Sequence, residues 1–458
     1  MMKTRFCPSP TGNLHLGNMR TALFNALYAQ QQKGALLLRI EDTDKLRSED
    51  EYTESLKRDL LWLGLQWNEG PDIGGELGPY WQSQRQAIYD TYYEKLIEKG
   101  LVYPCFCSEQ ELAVTRKVQL SSGQPPRYAG TCRELSSEKI AALRLQGKPE
   151  SLRFRIPKNQ VIEFDDLVKG PQKFQSDDIG DFIIRRHDGT PPFMFCNAID
   201  DATMQVTHAI RGEDHLTNTP KQLLILKALE LKAPHYGHVS LIFGRDGSPL
   251  SKRNGSRSIK ELREEGYLPI AVLNYLSRLG HYYENPAFMS WDELVKQFSL
   301  ASLSVSPARF DPEQLLHWQR EAVQRANVEE LMFWCQHDVP ASMQAAFINA
   351  IRGNVLFPDE AHHWARIIFT DYVQINETEQ QILSEAGKDF FENAIKLIDV
   401  HGTDFKALSQ ALSQVTGKKG KALFLPLRIA LTGQMHGPDM PVLCQLLGVE
   451  KMKKRLDR

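Results

Sequence analysis

The stretch Lys3-Thr4-Arg5-Phe6-Cys7-Pro8-Ser9-Pro10-Thr11-Gly12-Asn13-Leu14-His15-Leu16-Gly17-Asn18 decides the fold class. Lys3 to Cys7 reads as a short buried strand, stopped by Pro8 and Pro10, which have no N–H for a ladder. Thr11-Gly12-Asn13 is a turn. Met19 to Gln32 then carries Ala22, Leu23, Ala26 and Leu27 at helical spacing. Gly34 ends that helix, and Ala35 to Ile40 is a continuous apolar strand of the kind buried in parallel sheets. Strand, turn, helix, strand opens a doubly wound nucleotide-binding fold, where ligands sit at the carboxyl ends of strands. The turn falls at that place. The helix start offers N–H groups to phosphate, Gly17 permits close approach, and His15 can donate to a phosphate oxygen as charge builds. No Gly-Lys-Ser/Thr follows, which excludes a Walker loop.

Outward from this stretch, a second helix spans roughly residues 50–63. Glycines, prolines and isolated strand signals then mark an insertion. The α/β pattern resumes with the apolar stretch Phe193–Ile199, Val206–Ile210, a helix over Lys221–Leu231 and a strand over Val239–Phe243. Past Arg257 the helical period dominates, punctuated by Pro307, Pro312, Pro340 and Pro358. The expected architecture is multi-domain. A Rossmann-like catalytic domain occupies residues 1–75 and 191–250, with an α/β insertion over 76–190. A connecting region covers 251–320, and all-α domains cover 321–458.

The chain has 458 residues, enough for about three domains. Its 55 Lys and Arg nearly cancel 57 Asp and Glu, so nucleic acid would have to bind through local basic surfaces. Two such surfaces are legible: residues 116–155, rich in Arg and Lys, and Lys418, Lys419, Lys421, Arg428 with the basic tail. No run is long and apolar enough to span a bilayer, so no membrane partner is expected. Seven cysteines, an odd number, fit a reducing cytoplasm better than a disulfide framework. Three of them, Cys105, Cys107 and Cys132, cluster in the insertion. Zinc takes about four tetrahedral N, S or O donors, and two thiolates one residue apart can reach one ion. Cys7, Cys196, Cys335 and Cys444 read as core.

Pro8 to Asn18 resembles the HIGH signature of class I aminoacyl-tRNA synthetases, in the form found in glutamyl-tRNA synthetases. Pro249-Leu250-Ser251-Lys252-Arg253 resembles their KMSKS loop. Further matches are Arg39-Ile40-Glu41-Asp42-Thr43-Asp44 with Arg47, Gly78-Pro79-Tyr80, Arg211-Gly212-Glu213-Asp214-His215 and Pro426 to Gly433. The resemblance implies ATP-dependent activation of L-glutamate and its transfer to tRNA. It makes His15 and Lys252 catalytic, and Thr11, His15, Gly17, Asn18 and Lys252 the ATP ligands, with Mg2+ accompanying the nucleotide. Arg5, Ser9, Glu41 and Arg211 would hold glutamate, helped by Asn197 and by Phe193, where the family often has Tyr. Arg suits a carboxylate because it can grip it with two parallel bonds.

The resemblance also implies a structural zinc. Tyr128 matches the family's arrangement for the fourth ligand, and Glu134 stands where some members place a His. The insertion would receive the tRNA acceptor end, residues 251–320 the inner corner of the tRNA, and the helical remainder the anticodon. The resemblance also makes Arg47 an expected tRNA contact. Asn354 falls where strict members place an Arg that rejects tRNA-Gln. The expected species is a monomer. Rival readings are a silent RNA-binding module derived from a synthetase and a glutamyl transferase acting on another tRNA target.

Overall fold

A computed structural model describes residues 1–44, 49–250, 257–371 and 373–457. The chain divides into two compact units. One comprises Met1–Leu262 with Val272–Gln314, the other Arg263–Ala271 with Leu315–Arg458. The expected connecting region over 251–320 is therefore shared between the units rather than forming a body of its own.

In the first unit, strand β1 (Lys3–Phe6) is followed by helix α1 (Leu16–Gln31), strand β2 (Ala35–Leu38) and helix α2 (Asp50–Trp62). β1 and β2 pair in parallel, Lys3 opposite Ala35 and Phe6 opposite Leu38. Both are buried throughout. Helix α1 starts three residues earlier than its apolar period suggests, so Gly17 and Asn18 lie in its first turn and His15 is its N-cap. Gly34 lets the chain reverse tightly: a Cβ there would lie 2.5 Å from the Met2 carbonyl oxygen.

The insertion contains α3 (Gln86–Glu98), β3 (Val102–Cys105), α4 (Glu109–Ser121), α5 (Ser137–Leu145), β4 (Ser151–Phe154), β5 (Val161–Asp166), β6 (Gly170–Gln175), α6 (Ser176–Ile179) and β7 (Phe182–Arg185). β3, β4 and β7 form an antiparallel sheet, and β5 and β6 a hairpin. Tyr89, Tyr93, Phe154, Ile184 and Phe195 lie in one apolar cluster, with the Tyr93 and Phe195 rings stacked at 4.4 Å.

The catalytic pattern resumes with α7 (Phe193–Thr203), β8 (His208–Gly212), α8 (Thr219–Ala228), β9 (His235–Val239) and β10 (Ile242–Phe243). β8 and β9 are parallel, with Arg211 opposite His238. β8 lies on the side of β1 away from β2: Thr207 N–H donates to the Lys3 carbonyl at 3.0 Å. The strand order therefore reverses at β1, the switch point where doubly wound sheets open a crevice. The strand expected over Val239–Phe243 is two pieces. At the break, the Leu241 N–H is taken by Glu213 at 2.8 Å and the Ser240 carbonyl by Arg20.

Helices α9 (Ile259–Glu265), α10 (Pro269–Arg278) and α11 (Trp291–Gln297) and the short strand β11 (Ala308–Arg309) follow. The second unit is helical, its main helices being α12 (Pro312–Arg325), α13 (Val328–Leu331), α14 (Gln344–Ile351), α15 (Pro358–Phe369), α16 (Glu377–Ala386), α17 (Lys388–His401), α18 (Phe405–Thr416), α19 (Lys421–Thr432) and α20 (Met440–Leu456). Trp334, Phe347, Ile351, Ile368, Leu427 and Leu443 fill its core. No described helix is long and apolar enough to cross a membrane.

Candidate active site

Residues at the carboxyl ends of β1, β2 and β8 converge with helix α7 on one buried polar cluster. Arg39, the residue after β2, has no exposed surface. It donates to Asp201 at 2.8 Å and to Glu41 at 3.1 Å, and its Nε lies 3.8 Å from Asp200. Arg5 on β1 reaches Asp201 at 3.3 Å and the Ile210 carbonyl at 3.2 Å. Arg85 donates to Asp200 at 2.6 Å, and Tyr89 and Gln82 complete that carboxylate's shell at 2.8 Å each. Removing one partner of such a set is severe, because a buried charge left unpaired costs several kcal/mol.

Glu41 and Arg211 face each other across Asn197. The Asn197 amide donates to Glu41 at 2.7 Å, and its oxygen accepts from Gln222 at 2.9 Å and from Arg211 at 3.5 Å. Burial lifts the Glu41 carboxyl above its ordinary range, although Arg39 and Asn197 oppose the shift. The hydrogen-bond partners of Arg211 are all neutral: His238 at 3.1 Å, Thr219 at 2.8 Å, Gln222 at 2.7 Å and Asn197. Its guanidinium lies 4.8 Å from the Tyr236 ring centroid. Burial pushes its pKa down to about 10. The carboxylates of Asp201 and Glu41 act on this guanidinium through space, but none of its hydrogen bonds goes to a charged acceptor.

Of the expected glutamate ligands, Arg5, Glu41, Asn197 and Arg211 are thus brought together, all buried. Phe193 is half-buried in the first turn of α7, its ring 4.8 Å from that of His215. Ser9 is exposed on the loop after β1. The acids Asp200 and Asp201 and the base Arg39, with His238, Thr219 and Gln222, were not singled out from the sequence. One signal was available: two adjacent acids inside the apolar helix Phe-Met-Phe-Cys-Asn-Ala-Ile-Asp-Asp-Ala-Thr.

The nucleotide loop is built differently. Thr11 and Asn18 are exposed, and His15 is half-buried at the start of α1. A Cβ on Gly17 would meet nothing within 4 Å, so the first turn of α1 opens onto free space. His15 pairs as an antiparallel bridge with Ser258, and Ile259 N–H donates to the Leu14 carbonyl at 3.0 Å. Leu250 N–H donates to the Ile242 carbonyl at 2.8 Å. Lys252 and Arg47 lie outside the described residues.

In the insertion, the thiols of Cys105, Cys107 and Cys132 lie within 4.8 Å of one another, Cys107 and Cys132 being 3.6 Å apart. Tetrahedral zinc with bonds of about 2.3 Å sets sulfurs about 3.8 Å apart, so the donor set fits. The Tyr128 hydroxyl sits 3.5 Å from both Cys105 and Cys107 and accepts from Cys132 N–H at 2.9 Å. Arg153 donates to Cys105 at 3.1 Å. Glu134 does not join the cluster. It is 82% exposed and is drawn outward to Arg155 at 3.1 Å and Arg133 at 3.6 Å.

Part of each basic surface is committed internally. Arg127 binds the Asp177 carbonyl, Arg133 binds Asp181 and Arg144 binds Glu150. Arg116, Lys117, Lys139 and Lys148 remain exposed. In the helical unit, Lys418 and Arg428 donate to backbone carbonyls, while Lys419 and Lys421 are exposed. Asn354 is exposed in the turn after α14, where its N–H donates to the Ile351 carbonyl at 2.7 Å.

Residues 1–318 match the family described as tRNA synthetases class I (E and Q), catalytic domain, and residues 313–458 match an anticodon binding domain. A glutamate–tRNA ligase 2 of Nitrosococcus oceani is 54% identical, over 99% of this chain and 97% of its own. A glutamate–tRNA ligase 1 of Halorhodospira halophila is 51% identical, over 100% and 96%. A crystal structure of a glutamate tRNA ligase from Elizabethkingia meningosepticum, in complex with its amino acid, gives a TM-score of 0.91 at 28% identity, covering 100% of this chain and 98% of that one. With a buried polar pocket at the switch point and these matches running end to end, the chain belongs to the glutamate and glutamine group of class I tRNA synthetases.

Proposed function

We propose that this enzyme is a glutamate–tRNA ligase: it joins L-glutamate to AMP using ATP, then transfers the glutamyl group to the 3′ end of tRNA. The observation that carries the amino-acid assignment is Arg211, a buried guanidinium whose bonded partners are all neutral. Asp201 and Glu41 act on it only through space, and a substrate carboxylate supplies a directly bonded countercharge. Glutamine leaves the guanidinium poorly paired, so rejection needs no editing site. Arg211 and Arg5 read the two carboxylates, and Glu41 pairs with the ammonium. Ser9, Asn197 and Phe193 complete the pocket.

The attacking oxygen comes from the main-chain carboxylate, and pyrophosphate leaves from the α-phosphate. His15 and the N–H groups at the start of α1 donate to the α-phosphate, with Thr11, Gly17 and Asn18 around the nucleotide. Lys252 neutralises the departing pyrophosphate, and Mg2+ accompanies ATP. In the second step the tRNA terminal hydroxyl attacks the acyl carbon and AMP departs.

The insertion receives the acceptor end, stiffened by zinc on Cys105, Cys107, Cys132 and Tyr128. Arg47 contacts the same tRNA, and residues 321–458 read the anticodon. The enzyme works as a monomer in the cytoplasm. Asn354 supports a second, broader reading, in which tRNA-Gln is charged as well as tRNA-Glu: a short amide carries both donor and acceptor and tolerates either third anticodon base. The test is charging of purified tRNA-Glu and tRNA-Gln with labelled glutamate and labelled glutamine. Glutamate on tRNA-Glu is the expected product, and glutamine transfer would overturn the assignment.

A further inference from the structure

Arg211 is held from behind by two residues that no reaction step uses. Its Nε–H points at Nε2 of His238, 3.1 Å away, and Nδ1 of His238 lies 2.5 Å from Oδ2 of Asp166. Neither side chain of this His–Asp pair has exposed surface. Asp166 ends β5 and so belongs to the insertion, whereas His238 is on β9 of the catalytic sheet. The hairpin tip enters that sheet closely. Leu167 N–H donates to the Tyr236 carbonyl at 2.9 Å, and a Cβ on Gly237 would meet the Leu167 side chain at 3.3 Å.

Hydrogen-bond polarity fixes the protons. The other oxygen of Asp166 already accepts three backbone N–H groups, from Val168, Lys169 and His238, at 2.8–3.1 Å. Such a carboxylate stays ionised and can only accept. The ring proton of His238 therefore sits on Nδ1, leaving Nε2 as acceptor. The Nε–H of Arg211 can only donate, so it needs that acceptor. The groups facing the ring are Asp166, Arg211, Arg5, His215, the Tyr236 ring stacked at 6.2 Å and the Thr219 hydroxyl at 3.1 Å. Burial holds the imidazole below its ordinary pKa, which favours the neutral form this relay requires.

We propose that Asp166 and His238 are positioning residues for glutamate binding: the insertion hairpin fixes the His238 tautomer, and His238 fixes the Nε edge of Arg211 so that the guanidinium meets the substrate carboxylate. This rests on the reading of Arg211 as the carboxylate receptor. It makes glutamate affinity depend on a residue of the insertion, although the insertion supplies none of the substrate ligands.

Two isosteric changes separate the halves of the ring. His238→Gln keeps an acceptor near the Nε2 position, and His238→Asn keeps only the donor toward Asp166. Asp166→Asn offers an amide N–H to Nδ1 or to the three backbone N–H groups. The first choice moves the ring proton onto Nε2, against Arg211, and the second leaves donors opposed. The experiment is steady-state charging of tRNA-Glu with glutamate and ATP varied separately. For His238→Asn and Asp166→Asn, the glutamate KM should rise about tenfold to a hundredfold. The ATP KM and the kcat at saturating glutamate should stay within about threefold. His238→Gln should remain near wild type. Equal glutamate KM for His238→Gln and His238→Asn overturns the relay, as does a loss of kcat alone. Thermal unfolding of each variant identifies one that fails to fold; if His238→Asn does, Asp166→Asn decides, and an unchanged glutamate KM there overturns the relay. Arg211→Gln is the control: if it leaves glutamate KM unchanged, the receptor reading fails, whereas a raised KM there with silent His238 variants sinks only the relay.

Discussion

The pocket proposed for the amino acid and the loop proposed for the nucleotide occupy the same edge of one sheet and are built in opposite ways. In the pocket, Arg5, Arg39, Glu41, Asn197, Asp201 and Arg211 are nearly or fully buried and hydrogen-bonded before any substrate arrives. On the nucleotide side, Thr11 and Asn18 are exposed, and the space beyond Gly17 is open. A small substrate defined by three charges is best met by dipoles fixed in advance, because their reorganisation is then complete before binding. A polyphosphate, large and hydrated, can be gripped by backbone N–H groups and cationic loops. Substitutions in the pocket should therefore fall on glutamate use, and those beside ATP on turnover.

The largest effect should come from Arg211→Gln. Removing a buried charge that binds a charged partner costs about 2–5 kcal/mol, so kcat/KM for glutamate should fall by roughly 30-fold to 5,000-fold with ATP KM little changed. Equal losses for both substrates would erase the contrast between the two sides. Lys252→Ala should lower kcat by about 10²–10³ and leave glutamate KM nearly unaltered, the usual loss for one transition-state donor. An unaltered kcat would remove Lys252 from the chemistry.

Next comes the cysteine cluster of the insertion, which lies outside the polar cluster around Arg39, Asp200 and Asp201. Zinc on such thiol clusters is worth ~10–16 kcal/mol apparent, so purified protein should carry about one zinc per chain. Cys107→Ser with Cys132→Ser should then release the metal and weaken tRNA use more than ATP binding. Elemental analysis finding no metal in protein prepared without chelators would end that reading. The smallest effect should follow Asn354→Arg, in the helical unit. It should leave tRNA-Glu charging near wild type and depress tRNA-Gln charging. A wild type that already prefers tRNA-Glu a hundredfold, about 2.7 kcal/mol, would remove the permissive role of Asn354.

Much of the first unit was legible because its signals are local. Prolines ended β1 where an N–H would be missing, and Gly34 marked a reversal that excludes a side chain. Where side chains replace backbone partners, period and propensity mislead. Ser240 and Leu241 look like strand, yet Arg20 and Glu213 take their backbone groups and split it. The start of α1 was placed late because His15-Leu16-Gly17-Asn18 shows no apolar period. Asp200 and Asp201 escaped notice because acids usually face water, and their partners Arg5, Arg39 and Arg85 come from distant segments. Glu134 stands where some members of the family place a His, and in the structure its carboxylate meets Arg155 at 3.1 Å, a partner that comes from a different segment.

The separation between Arg39 and its partner Asp201, 162 positions along the chain, also bears on how the protein is made. At roughly 5–20 residues per second, a ribosome exposes Arg39 about 10–30 s before Asp201 exists. During that interval Arg39 has Glu41 but neither Asp200 nor Asp201 to pair with, so the first strands lack most of the charge that lets this guanidinium leave water. The insertion, whose three-stranded sheet pairs only with itself, is synthesised inside that window. The insertion's own sheet can therefore pair within that window, but its core closes only once Phe195 and the strand carrying Tyr236 and His238 have followed.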